Sequence, residues 1–390
     1  MLISSKSVTA LAESMGSKSE TFCSGLFLSA RWFVVSGLDH DGIQMIIMPD
    51  RESAEYCAVD LYNLIEGDCV FFLPDSGKRL EKSNYKASLS VQRTSAIGKI
   101  LEYLSYGSDL SDGHDLSDRK LIIVTYPSAL EEGVPAPSSI KESLLKLNVG
   151  DEVSHESIVE SLFSSGFERV DFVAEPGQFA IRGAIVDIFS YSYNDPFRIS
   201  FFGDEIETIN IFDCNTQLSK EKVVSAEIYP DLVPSDEEGE SCVQIADILP
   251  ADTLLWLDSS DMYSDREFFP LLERFRKIYM EVPLSRQNEE SIKFSIVPQP
   301  RFNKNFDLLT EDIRKHLEEG YRVRIYGEKQ SQLDRLRSIL SQSASASGVA
   351  SVIPEFVPHC NIHNGFIDHE NKVCCYSDHE IFDRFHRVSI

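Results

Sequence analysis

Three short apolar runs constrain the fold of the first third of the chain more than any other feature. They are Ile43–Met48 (IQMIIM), Cys69–Leu73 (CVFFL) and Leu121–Val124 (LIIV). Runs of this length are typical of strands buried on both faces of a parallel sheet. Helical patterns lie between them, at about Ser53–Ile65 and Val91–Leu104. The alternation predicts an α/β domain with right-handed crossover connections.

The middle of the chain has a different pattern. The Pro-rich stretch Val134–Ser138 (VPAPS) marks a boundary or linker, and one helix is predicted near Glu156–Ser164. Closely spaced strands joined by turn signals such as Gly203-Asp204 then predict an antiparallel sheet, and hence a second domain. The three candidate strands are Phe179–Phe189, Phe197–Phe202 and Glu205–Phe212.

The last third returns to an α/β pattern. We expect Ser341–Ser351 (SQSASASGVAS) to be a low-complexity loop, and a helix to begin at His379–Arg387. The remaining predicted elements are the strands Leu254–Leu257, Val323–Tyr326 and Val373–Tyr376, and the helices Asp265–Tyr279 and Gln330–Leu340.

Length and charge restrict the class of protein. A chain of 390 residues with 42% hydrophobic residues is expected to fold into two or three packed domains. The 37 basic and 63 acidic residues give a net charge of −26, which disfavours nucleic-acid binding over most of the surface. Acidity is also an ordinary solubility trait, so it says little about protein partners. The eight cysteines form no C-x-x-C pair, which favours a reducing, cytoplasmic location. No stretch approaches the roughly 18 apolar residues of a membrane helix.

The motifs of catalysis and cofactor binding are missing from the sequence. Gly16-Ser17-Lys18-Ser19, which we expect to precede a helix, has Ser17 at the second glycine position of a phosphate-binding loop and no glycine five residues earlier. His359, Cys360 and His363 lack the two spaced ligand pairs of a structural zinc site. We therefore predict no catalytic residue, no cofactor and no metal.

One candidate strand places an aromatic residue and a cation on its outer face. In an alternating strand over Phe197–Phe202, the outward positions are Arg198, Ser200 and Phe202, while Phe201 points toward the core. By the same alternation Arg182 points outward, with Ala180 two residues before it. Aromatic residues and arginine are enriched at binding hot spots. The alternative is that another element covers Phe202 and that both arginines are ordinary surface charges.

These residues lie within a longer pattern, residues 175–218. The runs PGQFAIRGAIVDIF, PFRISFFGDEIETI and FDCNTQ, in this order, resemble the signature shared by UvrB and the N-terminal part of the transcription-repair coupling factor family, Mfd. Upstream, Leu121–Leu130 resembles the strand and turn that close the first subdomain of the family. Downstream, Gly365–Arg387 resembles the stretch that closes its UvrB-like region.

The resemblance implies a fold. A degenerate RecA/P-loop-like α/β domain would be built from two segments, 1–145 and 234–390, around an inserted α+β, UvrA-binding domain at 146–233 with an antiparallel sheet. UvrB has a working phosphate loop near its start, whereas the corresponding Met15–Phe22 (MGSKSETF) lacks one, which favours Mfd over UvrB.

The resemblance also implies a function, which is to recruit UvrA in transcription-coupled nucleotide excision repair. The UvrA-binding positions of the family match Arg182, Arg198 and Phe202, whereas Ser200 stands where UvrB has an acidic residue. RNA polymerase and DNA would be bound only by the polymerase-binding and translocase domains, which lie further along such chains and are absent here, so we expect no enzyme activity, membrane or small-molecule substrate. Two alternatives remain: a UvrB-like ATP-dependent helicase fragment, or a protein-interaction module unrelated to repair.

Overall fold

The structure, a computed structural model, describes residues 5–38, 40, 42–67, 69–77, 84–106, 120–233, 242–346 and 354–384. No helix in these ranges is both long enough and apolar enough to cross a membrane. The helices, in chain order, are α1 (Lys6–Ser17), α2 (Ala30–Gly37), α3 (Arg51–Leu64), α4 (Asn84–Tyr106), α5 (Pro127–Glu131), α6 (Pro137–Ser143), α7 (His155–Ser164), α8 (Ile245–Ile248), α9 (Phe306–Glu318), α10 (Gln330–Ala346) and α11 (Asp378–Ile381).

Strands occur throughout the described ranges, and they are densest in the middle of the chain. In chain order they are β1 (Glu20–Ser24), β2 (Ile43–Ile47), β3 (Val70–Phe72), β4 (Leu121–Thr125), β5 (Val134–Pro135), β6 (Leu145–Asn148), β7 (Glu168–Arg169), β8 (Gln178–Arg182), β9 (Ile185–Ile188), β10 (Phe197–Phe202), β11 (Glu205–Phe212), β12 (Ser219–Val223), β13 (Ser225–Ile228), β14 (Cys242–Val243), β15 (Leu254–Leu257), β16 (Arg276–Tyr279), β17 (Ser291–Lys293), β18 (Ile296–Pro298), β19 (Arg322–Gly327), β20 (Glu355–Pro358), β21 (Phe366–Asp368) and β22 (Val373–Ser377).

The chain divides into two compact units. The first comprises Met1–Val70, Leu116–Pro127 and Ala251–Ile390, and the second comprises Phe71–Asp115 and Ser128–Pro250. The first unit therefore uses both ends of the sequence.

A parallel sheet forms much of the first unit. Its strands lie in the order β17-β1-β16-β15-β2-β4-β3. Every residue of β2, β4 and β15 is buried, because helices and loops cover both faces of the sheet. The register pairs Leu254 with Gln44 and Leu257 with Ile47. The parallel sheet that the apolar runs predicted is confirmed.

The first unit also contains a mixed sheet in the order β18-β21-β22-β19-β20. Strands β22, β19 and β20 are parallel, whereas β18 and β21 pair antiparallel. Its core is filled from α9 and α10, through residues such as Leu309, Ile313 and Leu336, against Ile325 and Tyr376 of the strands.

The second unit contains a sheet in the order β12-β11-β10-β9-β8-β7. All neighbours pair antiparallel except β7 and β8. Ile158 and Leu162 of α7 pack on one face of this sheet with Phe197, Ile199 and Phe201. The antiparallel sheet predicted for the middle of the chain is confirmed, and the fold as a whole is mixed α/β.

Three predicted elements differ in the structure. The strand predicted over 179–189 is two strands, β8 and β9, separated by a turn in which Gly183 has φ +62°, a value that glycine adopts without strain. The helix predicted over Asp265–Tyr279 is wrong. Phe268, Leu272 and Phe275 are buried at helical spacing, but they lie in a 3-10 turn, Phe269–Leu272, and its flanks, and β16 follows.

The low-complexity stretch from Ser341 was predicted as a loop, yet α10 continues through it to Ala346. Serine and alanine have no side chain that prevents helix propagation once a turn is formed. The rest of that stretch, and residues 385–387 of the predicted last helix, lie outside the described residues.

Candidate protein-interaction site

Strand β10 separates a core face from an exposed face. Phe201 is 5% exposed and packs in the core, whereas its neighbour Phe202 is 78% exposed. The pairing of β10 with β11 shifts register between Ser200 and Phe201, but Phe202 still points away from the core. A tight turn follows, in which Gly203 has φ +65°, as two-residue hairpin turns require. The alternation predicted from the sequence is confirmed.

Arg198 lies on the outer face but is largely enclosed by its neighbours. Its Nε and Nη2 donate to the two carboxylate oxygens of Asp187 at 2.8 and 2.9 Å. It also donates to the backbone and side-chain oxygens of Gln217, at 3.3 and 2.9 Å. The guanidinium lies 4.0 Å from the centre of the Phe212 ring, and 17% of the side chain is exposed. These hydrogen bonds and the ring contact fix the position of the Arg198 guanidinium.

Arg182, at the end of β8, is held less tightly. Its Nη2 donates to Asp187, and its guanidinium lies 5.0 Å from the ring centre of Phe172. The side chain is 35% exposed, and Phe172 itself is 62% exposed. Arg182 and Phe172 thus form an exposed cation–aromatic pair.

Asp187 connects the two arginines, and sequence reasoning did not single it out. It occupies β9, where it pairs with Ala180 of β8 and Arg198 of β10. Its side chain is 1% exposed. A buried carboxylate requires cationic or hydrogen-bonding partners, and here two guanidinium groups supply them. The available signal was an aspartate in an otherwise apolar run, Ile185–Ile188 (IVDI).

The outer face is also less exposed than the alternation suggested. Ala180 is buried with Val173, Phe189 and Phe212 in a small second core on this face. The expectation that Ala180 faces water is therefore corrected, because the chain after β11 and before β8 covers this part of the sheet. What stays exposed is a surface that we call the docking face, formed by Phe172, Arg182 and Phe202, with Arg198 and Asp187 beneath it.

Comparisons with known proteins identify the domain that carries this face. The UvrB interaction domain family matches residues 145–232. Those residues are similar to the UvrB interaction domain, and we refer to them below by that name. They include all of the docking face, and the sheet from β7 to β12 on which it is built.

Relatives of both expected kinds match the chain. A transcription-repair-coupling factor of Mycobacterium tuberculosis (strain CDC 1551 / Oshkosh) is 30% identical over 191 residues, 49% of this chain and 15% of that protein. The transcription-repair-coupling factor of Bacillus subtilis (strain 168) is 33% identical over 119 residues, 30% of this chain and 10% of that protein. UvrABC system protein B of Methanosarcina mazei is 33% identical over 131 residues, 33% of this chain and 20% of that protein.

The resemblance to the N-terminal UvrB-like region of transcription-repair coupling factors is confirmed by these matches. The matched stretches span between 10% and 20% of the length of these three relatives.

The ion pairs of the UvrB interaction domain change one expectation about stability. If Arg198 were an ordinary exposed surface charge, replacing it with alanine would leave the free energy of unfolding unchanged. Because it encloses a buried carboxylate, we expect Arg198→Ala to destabilise the domain by about 1–3 kcal/mol. Arg182→Ala should cost less, since Arg198 then still holds both oxygens of Asp187. Urea unfolding of both variants checks the order, and an Arg198→Ala variant as stable as wild type would contradict it.

Outside the UvrB interaction domain, the structure shows which elements flank the candidate phosphate-binding stretch near the start of the chain. Gly16-Ser17-Lys18-Ser19 was expected to precede a helix, and this is wrong: Gly16 and Ser17 end α1, and the stretch leads into β1. The strand–loop–helix order of a phosphate-binding loop occurs one step later, at β1, Gly25–Ser29 and α2. That loop, GLFLS, contains no lysine. Among the described residues, no group of three or more His, Cys, Asp or Glu could hold a metal ion.

Proposed function

We propose that this chain is the UvrB-like N-terminal module of a transcription-repair coupling factor, and that it recruits UvrA to transcription-coupled nucleotide excision repair without catalytic activity of its own. The observation that supports this most directly is the exposed Phe202, on a UvrB interaction domain, with two arginines on the same face. Solvent exposure of a whole phenylalanine ring loses the free energy of its burial, and a partner surface would recover that energy.

We propose that Arg182, Arg198 and Phe202 form the centre of the UvrA-binding surface. Phe202 would fill an apolar pocket and the more exposed guanidinium of Arg182 would face acidic side chains of UvrA, while Arg198 supports this surface through Asp187. Ser200, half-buried on the same face, cannot supply a negative charge, so this surface would be more purely cationic than one with an acid at that position.

We propose a degenerate RecA/P-loop-like domain divided by an insert, with segments 1–145 and 234–390 flanking residues 146–233. Of these two segments, residues 1–70, 116–127 and 251–390 belong to the first compact unit. Support comes from the parallel sheet, in which β15 pairs with β2 and β16 pairs with β1. Strands from before and after the UvrB interaction domain therefore share one sheet.

Binding of purified UvrA to the intact chain tests the proposed function. We expect calorimetric titration to show binding by the wild type, and Phe202→Ala to lower the affinity by about 2–4 kcal/mol, roughly thirty- to a thousand-fold. Val224→Ala is a matched control, because Val224 is 79% exposed in the same domain but follows β12, away from β10. A wild-type chain that does not bind UvrA favours an interaction module unrelated to repair.

Titration with Mg-ATP tests the helicase alternative. Backbone amides alone, without the lysine that contacts the β- and γ-phosphates, leave too little positive charge to hold a triphosphate. We therefore expect no heat of binding at micromolar ATP. A Kd in the micromolar range would instead support a UvrB-like ATP-dependent fragment.

A further inference from the structure

We propose that Asp187 is a positioning residue of the docking face: it fixes the Arg182 guanidinium against Phe172, where Arg182 can bind an acidic side chain of the partner. This inference rests on the proposed function and adds two residues to it, Asp187 and Phe172. In this arrangement Arg198 anchors Asp187 from the other side.

The contacts of Arg198 make it the anchor. Four hydrogen bonds, two to Asp187 and two to Gln217, use most of its donors, and its flat face lies on Phe212. A partner carboxylate could reach its guanidinium only by displacing Asp187 or Gln217. Fork-to-fork pairing of an arginine with a carboxylate is geometrically specific, so this pair also fixes the direction of the Asp187 oxygens.

Arg182 is the arginine that a partner can reach, because it makes fewer hydrogen bonds than Arg198 and is more exposed. Within the residues that the structure describes, Asp187 is the acceptor of its one side-chain hydrogen bond. Arg182 is twice as exposed as Arg198, and a guanidinium has five N–H donors. Phe172 lies against the guanidinium of Arg182, of which the side chain remains 35% exposed to a partner.

The charges identify the chemistry of the group that would bind there. The cluster of Arg182, Arg198 and Asp187 has one net positive charge, in a chain with a net charge of −26, and the exposed Glu205 pairs with Phe202 outside this cluster. A carboxylate of the partner matches this charge and the fork of N–H donors on Arg182. Phe172 and Phe202 then supply apolar area on the same face of the sheet.

Asp187 matters because an arginine side chain is otherwise flexible. Ordering a free arginine on binding costs about 0.5–1.5 kcal/mol in conformational entropy. The contacts of Arg182 with Asp187 and with the Phe172 ring order its side chain already in the free protein, so this entropy is not lost on binding. Without Asp187, Arg182 would sample many rotamers, and the energy of its contact with the partner would fall.

A double-mutant cycle with purified UvrA tests the proposal in the intact chain. We expect Asp187→Asn to weaken binding roughly tenfold in the wild-type background, and less than about twofold when Arg182 is already alanine, since Asp187 acts through Arg182. Phe172→Ala should weaken binding roughly tenfold and should show the same coupling to Arg182→Ala. Melting curves of every variant report on folding separately.

The outcomes separate the two proposals. If the wild type does not bind UvrA, the proposed function fails. If the wild type binds and Phe202→Ala weakens it, but Asp187→Asn and Phe172→Ala act additively with Arg182→Ala or not at all, the positioning role is wrong. If Asp187→Asn does not fold, Asp187→Glu takes its place in the cycle, because it keeps the negative charge but moves the carboxylate that holds Arg182. Its effect on binding should then disappear when Arg182 is alanine, and an effect that persists contradicts the positioning role.

Discussion

Phe201→Ala should destabilise the UvrB interaction domain by about 3–5 kcal/mol, the usual cost of emptying a buried phenylalanine site. Phe201 is enclosed in the core on β10, and its ring centre lies 4.2 Å from that of His155 at the start of α7. Removing the ring opens a cavity between the helix and the sheet, and the surrounding strands can collapse into it only in part. Urea unfolding of the chain measures the loss.

The adjacent residue provides the control. Phe202→Ala removes the same ring from the same strand, but from the exposed side, so its free energy of unfolding should stay within about 0.5 kcal/mol of wild type. The two variants therefore separate stability from binding. Phe201→Ala should lower the free energy of unfolding, and Phe202→Ala should lower the affinity for UvrA. A Phe202→Ala variant as unstable as Phe201→Ala would mean that both rings are buried, which would contradict the assignment of Phe202 to the exposed face.

Asp60 should make the stability of the first unit depend on pH. Burial raises its pKa from the ordinary value of 3.8 to about 7, although hydrogen bonds from the Ser29 hydroxyl and the His363 backbone N–H, and the charge of Arg31, act in the opposite direction. The folded protein thus binds this proton more tightly than the unfolded chain does. Stability falls as pH rises from 3.8 to about 7, and the loss, about 4 kcal/mol, is complete above that range.

Asp60→Asn removes the titrating proton and keeps the shape of the side chain. We expect the free energy of unfolding of the variant, relative to wild type, to rise by about 4 kcal/mol between pH 4 and pH 8 in urea titrations. Using the difference cancels the contribution of other groups, such as Asp378, whose pKa burial raises to about 6. Parallel curves for Asp60→Asn and wild type would show that Asp60 is ionised in the folded protein.

Prediction from sequence succeeded where one periodicity dominated. The apolar runs at β2 and β4 are typical of strands buried on both faces, and the alternation over Phe197–Phe202 assigned each side chain to a face. Prediction failed where the spacing of the apolar residues is compatible with both a helix and an irregular turn. Phe268, Leu272 and Phe275 have the spacing of a helix, but long-range pairing with β1 and β15 draws the following residues into a strand.

The ion pairs of the docking face could not be predicted from alternation alone. A strand pattern shows that Asp187 and Arg198 share a face with Arg182, but not that β9 lies between the other two strands in a register that joins them. Nor does it show that Ala180 and Phe212 are covered on that face. Such contacts depend on the sheet order and on loops, which local sequence does not determine.

The strand order of the parallel sheet has a consequence for the way the chain is synthesised. The neighbours of β1 are β16 and β17, so no earlier strand can pair with it. β1 ends at residue 24 and β16 begins at residue 276, which leaves about 250 residues to be translated between them. At about 5–20 residues per second, β1 waits roughly 10–50 s for a partner, while the whole UvrB interaction domain has already left the ribosome. The docking face can therefore form first, whereas β1 is paired only after the C-terminal part of the parallel sheet has been translated.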